Sequence, residues 1–541
     1  MEYIDQFLGA SDITQRVILG VNVVFLLYYL ISAWAKNKIA VYGIAIMAIA
    51  VLYFFVQKFS GLNFKDYFVF YQLPSIVTAL LLFVIWKLIL LIVPERKLGI
   101  FDIRIQRKNG KPIVVNILKG VSVQGAAGSG KTISIAGWIL YWMGSRSVPG
   151  LIYDYKDFEF VEIINWFYRD AEIPVNNFSP AEPDKSVQLN PIAIQILKKK
   201  EDVLLMSKCI VNSVLSSEDK GNPFFVKAAE GAITGAIIKL KEDHPKFCSF
   251  SYLVAIFLVK DVDGLVRFIE SNPNAARQGR AFLDSADSSK QMAGVKASLS
   301  NAFRMFDVPS IIHSMQRNEI NLALNDQEER SVLCMVNKPK YGEIYEPLFS
   351  IVAQAVILQM SERNRVPSFI LLDEAPTLKI PKIERVPATM RSFNIATIYM
   401  MQDKIQAVNQ LSLNVMKEIL ANLSTLFFGK TNDPDTAKFF ESYFEDVKIK
   451  QKSISKKNGA FFEATDARTT TSERDEKKHK SYEMFQRRTG QFFVFDDKGQ
   501  NFDASIKMPR IITEPIKPLN AVTDWEVQRS YDSIFKNAVN L

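Results

Sequence analysis

A chain of 541 residues, 48% hydrophobic and 23% charged, buries a sizeable core and is too long for one ordinary domain, so two or three domains are expected. The 66 Lys and Arg against 57 Asp and Glu give a formal net charge of +9, which suits contact with nucleic acid or anionic lipid and by itself selects neither. Cys209, Cys248 and Cys334 lie too far apart for a disulfide framework or a zinc ribbon and read as small buried residues in a reducing compartment. His244, His313 and His479 are equally scattered and do not suggest a metal or triad site.

Residues 17–34 (VILGVNVVFLLYYLISAW) carry no charge and are long enough to cross a hydrocarbon core of roughly 30 Å as a helix. Residues 39–56 repeat the pattern after the polar turn AKNK, predicting a hairpin of transmembrane helices. A third run, 68–86, holds Pro74 near one end and is followed by Lys87 at headgroup level if the span stops there. The start MEYIDQFLGASD is acidic and lacks the basic region of a cleaved signal peptide. Lys36 and Lys38 in the first turn, and Arg96, Lys97, Arg104, Arg107, Lys108 and Lys111 after the third run, place these flanks in the cytosol. Three spans put the N-terminus outside; two put it inside, with everything after Arg96 cytosolic either way.

Next comes VSVQGAAGSGKTISIAG, residues 121–137. Gly125, Ala126, Ala127, Gly128, Ser129, Gly130, Lys131 and Thr132 fit the phosphate-binding pattern G-x-x-x-x-G-K-[ST]. A β-branched stretch precedes it, and TISIAGWILYWMG can run as a helix to Gly144. Glycines let backbone N–H groups face phosphate oxygens, Lys131 adds charge for the β and γ phosphates, and the Thr132 hydroxyl suits Mg²⁺. The stretch GLIYDYKDFEF, 150–160, reads as a second strand of the same sheet.

From Pro191 to about Asp326 helical periodicity prevails with few strand signals, predicting an all-α insert in an α/β core. The run SFILLDEAPTL, 368–378, is a buried strand ending in Asp373 and Glu374, an unfavourable place for two acids without a function. Asp373 is suited to hold Mg²⁺ and Glu374 to orient or deprotonate the attacking water. NIATIYMMQDK predicts another strand ending in Gln402, either a γ-phosphate sensor or a strand-end hydrogen-bonder. LSTLFFGKT, 423–431, completes a mainly parallel, RecA-like sheet. The polar segment 448–480 reads as a mobile charged loop, with a DNA-facing pore loop as the alternative.

Taken together, GAAGSGKT, YDYKDFE, the LNPI that opens the insert, LLDEAPTLKIP, RSFNIATIYMMQ, GKTNDPDTAKFFESYF and SYEMFQRRTGQFFVF resemble the coupling proteins of type IV secretion systems, the TraD-like and TrwB-like conjugative ATPases. The resemblance covers nearly the whole chain. It implies a membrane anchor (1–95), a RecA-like P-loop NTPase domain in two parts (96–190 and 327–515), an all-α insert (191–326) and a C-terminal tail (516–541). It implies ATP and Mg²⁺ as cofactors, Lys131, Glu374, Arg391 and Gln402 as catalytic residues, Thr132 and Asp373 as metal ligands, and Arg391 as a finger reaching a neighbouring subunit. The implied protein is a homo-hexameric ATPase in the bacterial inner membrane, in contact with lipid, that moves DNA or a relaxase-bound strand from a relaxosome into a secretion channel. Delivery of effector proteins and an FtsK-like double-stranded DNA pump are the alternatives. In the family a Gly and an acid usually follow the second-strand Asp, whereas here Asp154 is followed by Tyr155, Lys156, Asp157 and Phe158. A long acidic C-terminal tail is not expected.

Overall fold

Short apolar runs rich in branched and aromatic residues become the strands, because side chains branched at Cβ pack well on a pleated surface. The computed structural model describes residues 98–215, 220–284, 289–456 and 467–541, together with helical positions 77, 81 and 85. Apart from those three positions, the runs expected to span a membrane, 17–34, 39–56 and 68–86, lie outside the described residues. Among the described residues no helix is long and apolar enough to cross a membrane.

Two short strands, β1 (Asp102–Ile105) and β2 (Ile113–Asn116), pair antiparallel ahead of the main sheet. That sheet is nine-stranded and is built from β3 (Val121–Gln124), β4 (Gly150–Asp154), β5 (Val175–Phe178), β6 (Val332–Val336), β7 (Ser368–Leu372), β8 (Ile395–Met401) and β9 (Thr425–Phe428). After the hairpin β10 (Asp446–Lys456) and β11 (Ala467–Lys477), strands β12 (Gln491–Phe495) and β13 (Asn501–Ser505) complete it. The order is β13-β12-β9-β3-β8-β7-β4-β6-β5; every pair from β9 to β5 is parallel and β12 and β13 are antiparallel. The fold is thus α/β with a mixed, mostly parallel sheet.

Because side chains alternate along a strand, each strand feeds two cores. Leu151 and Tyr153 of β4 face the core shared with the helices that follow β5, while Ile152 joins Ile135, Ile139 and Leu140 on the other face. Between β5 and β6 the described residues form no strand and eight α-helices, from Lys200–Val214 to Pro309–Ser314. The longest, Pro223–Asp243, starts where the Asn222 side chain accepts the N–H groups of Phe224 and Phe225 and Pro223 needs no donor.

Two segments differ from the sequence reading. The stretch 448–480, read as a mobile loop, lies largely in the β10–β11 hairpin, followed by the helix Ser481–Phe485. Its polar composition conceals eleven paired positions, since backbone ladders need extended residues rather than apolar ones. The stretch 516–541, read as a tail, holds the helix Asp524–Asn540, opened by a Thr523–Glu526 capping box. Val527, Ile534 and Ala538 are buried, Tyr531 donates to Asp307 over 2.5 Å, and Asn537 donates to the Tyr252 hydroxyl over 3.1 Å. The last helix therefore packs on the helical subdomain.

Candidate nucleotide site

At the C-terminal end of β3 the chain leaves the sheet as a loop, and four residues hold it. Gly125 donates its N–H to Met401, at the end of β8, and Ala126 donates to Lys430, just after β9. On the other side Thr489 donates its hydroxyl to the Gly128 carbonyl over 2.8 Å and Gly490 its N–H to the Ser129 carbonyl over 2.9 Å. Gly130 adopts φ +92°, open to glycine at little cost, and a Cβ there would meet the Gly490 nitrogen at 2.9 Å. Ala127 and Gly128 are exposed at the tip. The helix then begins with a wide π turn, Lys131–Ala136, and continues as Gly137–Gly144.

Lys131 is buried, donates to the Gly125 carbonyl and lies 4.0 Å from Glu374. Burial pulls its pKa down, opposed by the negative charges of Glu374 and Asp373. Both acids are fully buried where β7 ends. Burial pushes Asp373 up to about 7, helped by the charge of Glu374 and opposed by Lys156 and Lys131. Burial also raises Glu374, against Lys131 first and then Gln402. Among the described residues none of the four carboxylate oxygens of the pair has a hydrogen-bond partner. Gln402 thus lies near enough to favour the Glu374 carboxylate without reaching hydrogen-bonding geometry. Glu374 itself takes φ +46°, a left-handed backbone unusual for a residue with a side chain.

The site therefore unites Lys131, Asp373, Glu374 and Gln402. Gln402 directly follows β8, which lies between β3 and β7, so it stands between the phosphate loop and the acid pair. Thr132 is buried at the start of the helix, beside Lys131. Arg391 is exposed at the end of the helix Val386–Arg391; among the described residues no hydrogen bond or ion pair links it to Lys131, Asp373 or Glu374. Two neighbours were not expected from the sequence. Lys156 and Tyr155, in the loop after β4, are close enough to interact electrostatically with the acid pair. No sequence signal marks them as site residues; only the parallel neighbours β4 and β7 bring them there.

Orphaned carboxylate oxygens fit a Mg²⁺ ion carried by a nucleotide, since an ionised buried acid needs a cation or donors. Among the described residues no cluster of three or more His, Cys, Asp or Glu could hold a metal. Such an ion would need phosphate oxygens as further ligands. Elsewhere the three cysteines are buried free thiols, and burial raises Cys209 and Cys248 to about 12.

A family model described as type IV secretory system conjugative DNA transfer matches residues 96–481. No curated protein matches the chain. Among solved structures, the bacterial conjugative coupling protein TrwBdeltaN70 in an unbound form superposes with a TM-score of 0.61 at 14% identity, covering 80% of this chain and 93% of that one. Plasmid coupling protein TrwB in complex with ADP and Mg²⁺ gives 0.59 at 15% identity, covering 75% and 89%. TrwB with the non-hydrolysable ATP analogue ADPNP gives 0.58 at 15%, covering 78% and 97%. At these identities the structures bear on fold, which is TrwB-like, and the family match, which takes in well over half of the sequence, bears on membership: the chain belongs to the type IV secretory system conjugative DNA transfer family.

Proposed function

We propose that the protein is a RecA-like P-loop ATPase that couples ATP hydrolysis to delivery of DNA into a type IV secretion channel. The observation that carries the reading is the meeting of Lys131, at 4.0 Å, with the buried acid at the end of β7. Lys131 and the N–H groups of residues 125–132 bind the phosphates. Thr132 and Asp373 are the residues that would hold Mg²⁺ together with the phosphates, and the ion would supply neutralisation of their charge. Glu374 orients the attacking water and accepts its proton, which its raised pKa favours. Gln402 senses occupancy between the two strands, and Arg391, exposed and unpaired among the described residues, acts in the site of a neighbouring subunit.

Six copies assembled as a ring give Arg391 such a neighbour. The apolar runs in 1–95 anchor the ring in the bacterial inner membrane with 96–541 in the cytoplasm. The core comprises 96–190 and 327–515, the helical insert 191–326, and a relaxase with its attached strand is the cargo. Contact to the sugar-phosphate backbone makes the force largely independent of base sequence.

The test is the ATPase rate of the full-length oligomer with and without single- and double-stranded DNA, with Lys131→Ala as the blank. Stimulation by DNA that vanishes in the blank supports the reading, and strand preference separates it from an FtsK-like pump. A Lys131-dependent rate indifferent to DNA moves the cargo assignment to effector proteins.

A further inference from the structure

Two adjacent arginines in the turn before β12 have opposite fates. Arg487 is buried: its two terminal nitrogens donate to the two Asp503 oxygens over 3.1 Å each, and its guanidinium lies 3.2 Å from the centre of the Phe493 ring. Arg488 is exposed, and among the described residues its guanidinium has no hydrogen bond or ion pair. The two residues that follow, Thr489 and Gly490, are those that donate to the Gly128 and Ser129 carbonyls.

The turn is fixed from several directions. The Arg488 N–H donates to Gln491 Oε1 over 3.0 Å, the Gln491 N–H returns to the Arg488 carbonyl over 2.9 Å, and the Gly490 carbonyl accepts from Ile506 over 2.8 Å. The bidentate pair of the buried Arg487 with the exposed Asp503 ties this turn to β13, and Thr489 and Gly490 tie it to the phosphate loop. Beside it the loop surface is open: a Cβ on Gly128 would meet nothing within 4 Å, and Ile133, on the first turn of the helix, is exposed. The turn that touches the loop through Thr489 and Gly490 thus carries, one residue earlier, an exposed guanidinium with no partner among the described residues. A planar fork with five donors matches phosphate oxygens better than any other side chain.

We propose that Arg488 is a second cation for the nucleotide phosphates, acting in the same subunit as Lys131. The inference rests on the reading of residues 125–132 as a nucleotide site, and the experiment separates the two. Mg-ATP affinity, KM and kcat are measured on the full-length protein for Arg488→Ala, Arg488→Lys and Lys131→Ala, with melting of the nucleotide-free forms. Loss of one charge-assisted contact predicts an affinity for Mg-ATP at least about tenfold weaker in Arg488→Ala. The expected pattern is a KM raised in parallel, unchanged nucleotide-free melting and partial recovery in Arg488→Lys. Wild-type affinity in Arg488→Ala, beside a defective Lys131→Ala, overturns the role of Arg488 alone. Equal losses in Arg488→Ala and Arg488→Lys with lowered melting also overturn it, because they assign the residue to folding. Unimpaired binding by Lys131→Ala removes the nucleotide site and this proposal with it.

Discussion

Lys131, at the start of the helix that follows the phosphate loop, and Glu374, just after β7, stand 4.0 Å apart, both almost without solvent exposure. A buried ammonium and a buried carboxylate at that distance each make the other's charge tolerable, and both remain ready to turn toward phosphate and water. The two are expected to fail differently. Glu374→Gln keeps the shape and removes the proposed base, so kcat is expected to fall by on the order of 10²–10⁴-fold while Mg-ATP still binds. Lys131→Ala removes the proposed phosphate contact and is expected to weaken binding itself. Equilibrium binding beside steady-state hydrolysis distinguishes them, and wild-type turnover in either variant refutes the assignment of this site.

A pH dependence follows from Asp154. Its carboxylate accepts N–H bonds from Lys156, Phe160 and Val161, yet complete burial pushes it up from 3.8 to about 7. Between those values the folded chain holds a proton that the unfolded chain has released. The contribution of Asp154 to stability is therefore largest below about pH 4 and declines as pH rises through about 7. Burial shifts Asp373 and Glu374 in the same direction and adds the same sign. Nucleotide-free protein should melt progressively lower from about pH 5 to about pH 8. Asp154→Asn should flatten that slope, even if loss of one acceptor oxygen lowers its melting point throughout. An unchanged slope would show that this carboxyl is ionised in the folded state.

The phosphate loop and the acidic strand end are legible in the sequence because each depends on a few neighbouring residues: glycines before Lys131, and two acids after an uncharged strand. The parallel sheet is legible for the same reason, since strands buried on both faces read as continuous apolar runs. The β10–β11 hairpin escapes because Lys, Ser, Thr and Glu mark a solvated surface as readily as a ladder. For the last helix a local signal was present: TDWE, 523–526, is a capping-box pattern ahead of a helix. The contact of Thr489 with Gly128 has no local signature, since only the fold brings the two together across 361 positions. Tyr155 and Lys156 are likewise placed by the sheet and not by any motif.

Gly130 tests the packing between the phosphate loop and that turn. Its φ of +92° lies where a side chain is strained, and a Cβ would meet the Gly490 nitrogen at 2.9 Å and the Ser134 Oγ at 3.0 Å. Gly130→Ala should lose on the order of 1–3 kcal/mol of stability from backbone strain alone. It should also weaken Mg-ATP binding by displacing Gly490. Gly128→Ala is the control, with φ +76° but nothing within 4 Å of its Cβ. It carries a strain of the same kind without the clash. Equal effects of the two substitutions on nucleotide affinity would show that contact with Gly490 does not shape the loop.

The helix Asp524–Asn540 makes the helical subdomain depend on a segment far along the chain from its other helices. Ile534 is 2% exposed and belongs to the core that also holds Leu253, Ile256 and Ile312, from the helices Phe250–Val259 and Pro309–Ser314. Ile534→Ala leaves a cavity in that core, and large-to-small changes at such sites cost roughly 2–5 kcal/mol. Val539→Ala, on the same helix at 64% exposure, should change stability by less than about 0.5 kcal/mol. Urea unfolding of both variants separates the outcomes. A large loss confined to Ile534 establishes that the last helix is part of the subdomain core, so that a break in the chain before Thr523 would expose the apolar surface it covers. Equal, small effects at both positions would mean that the helix does not contribute to that core in solution.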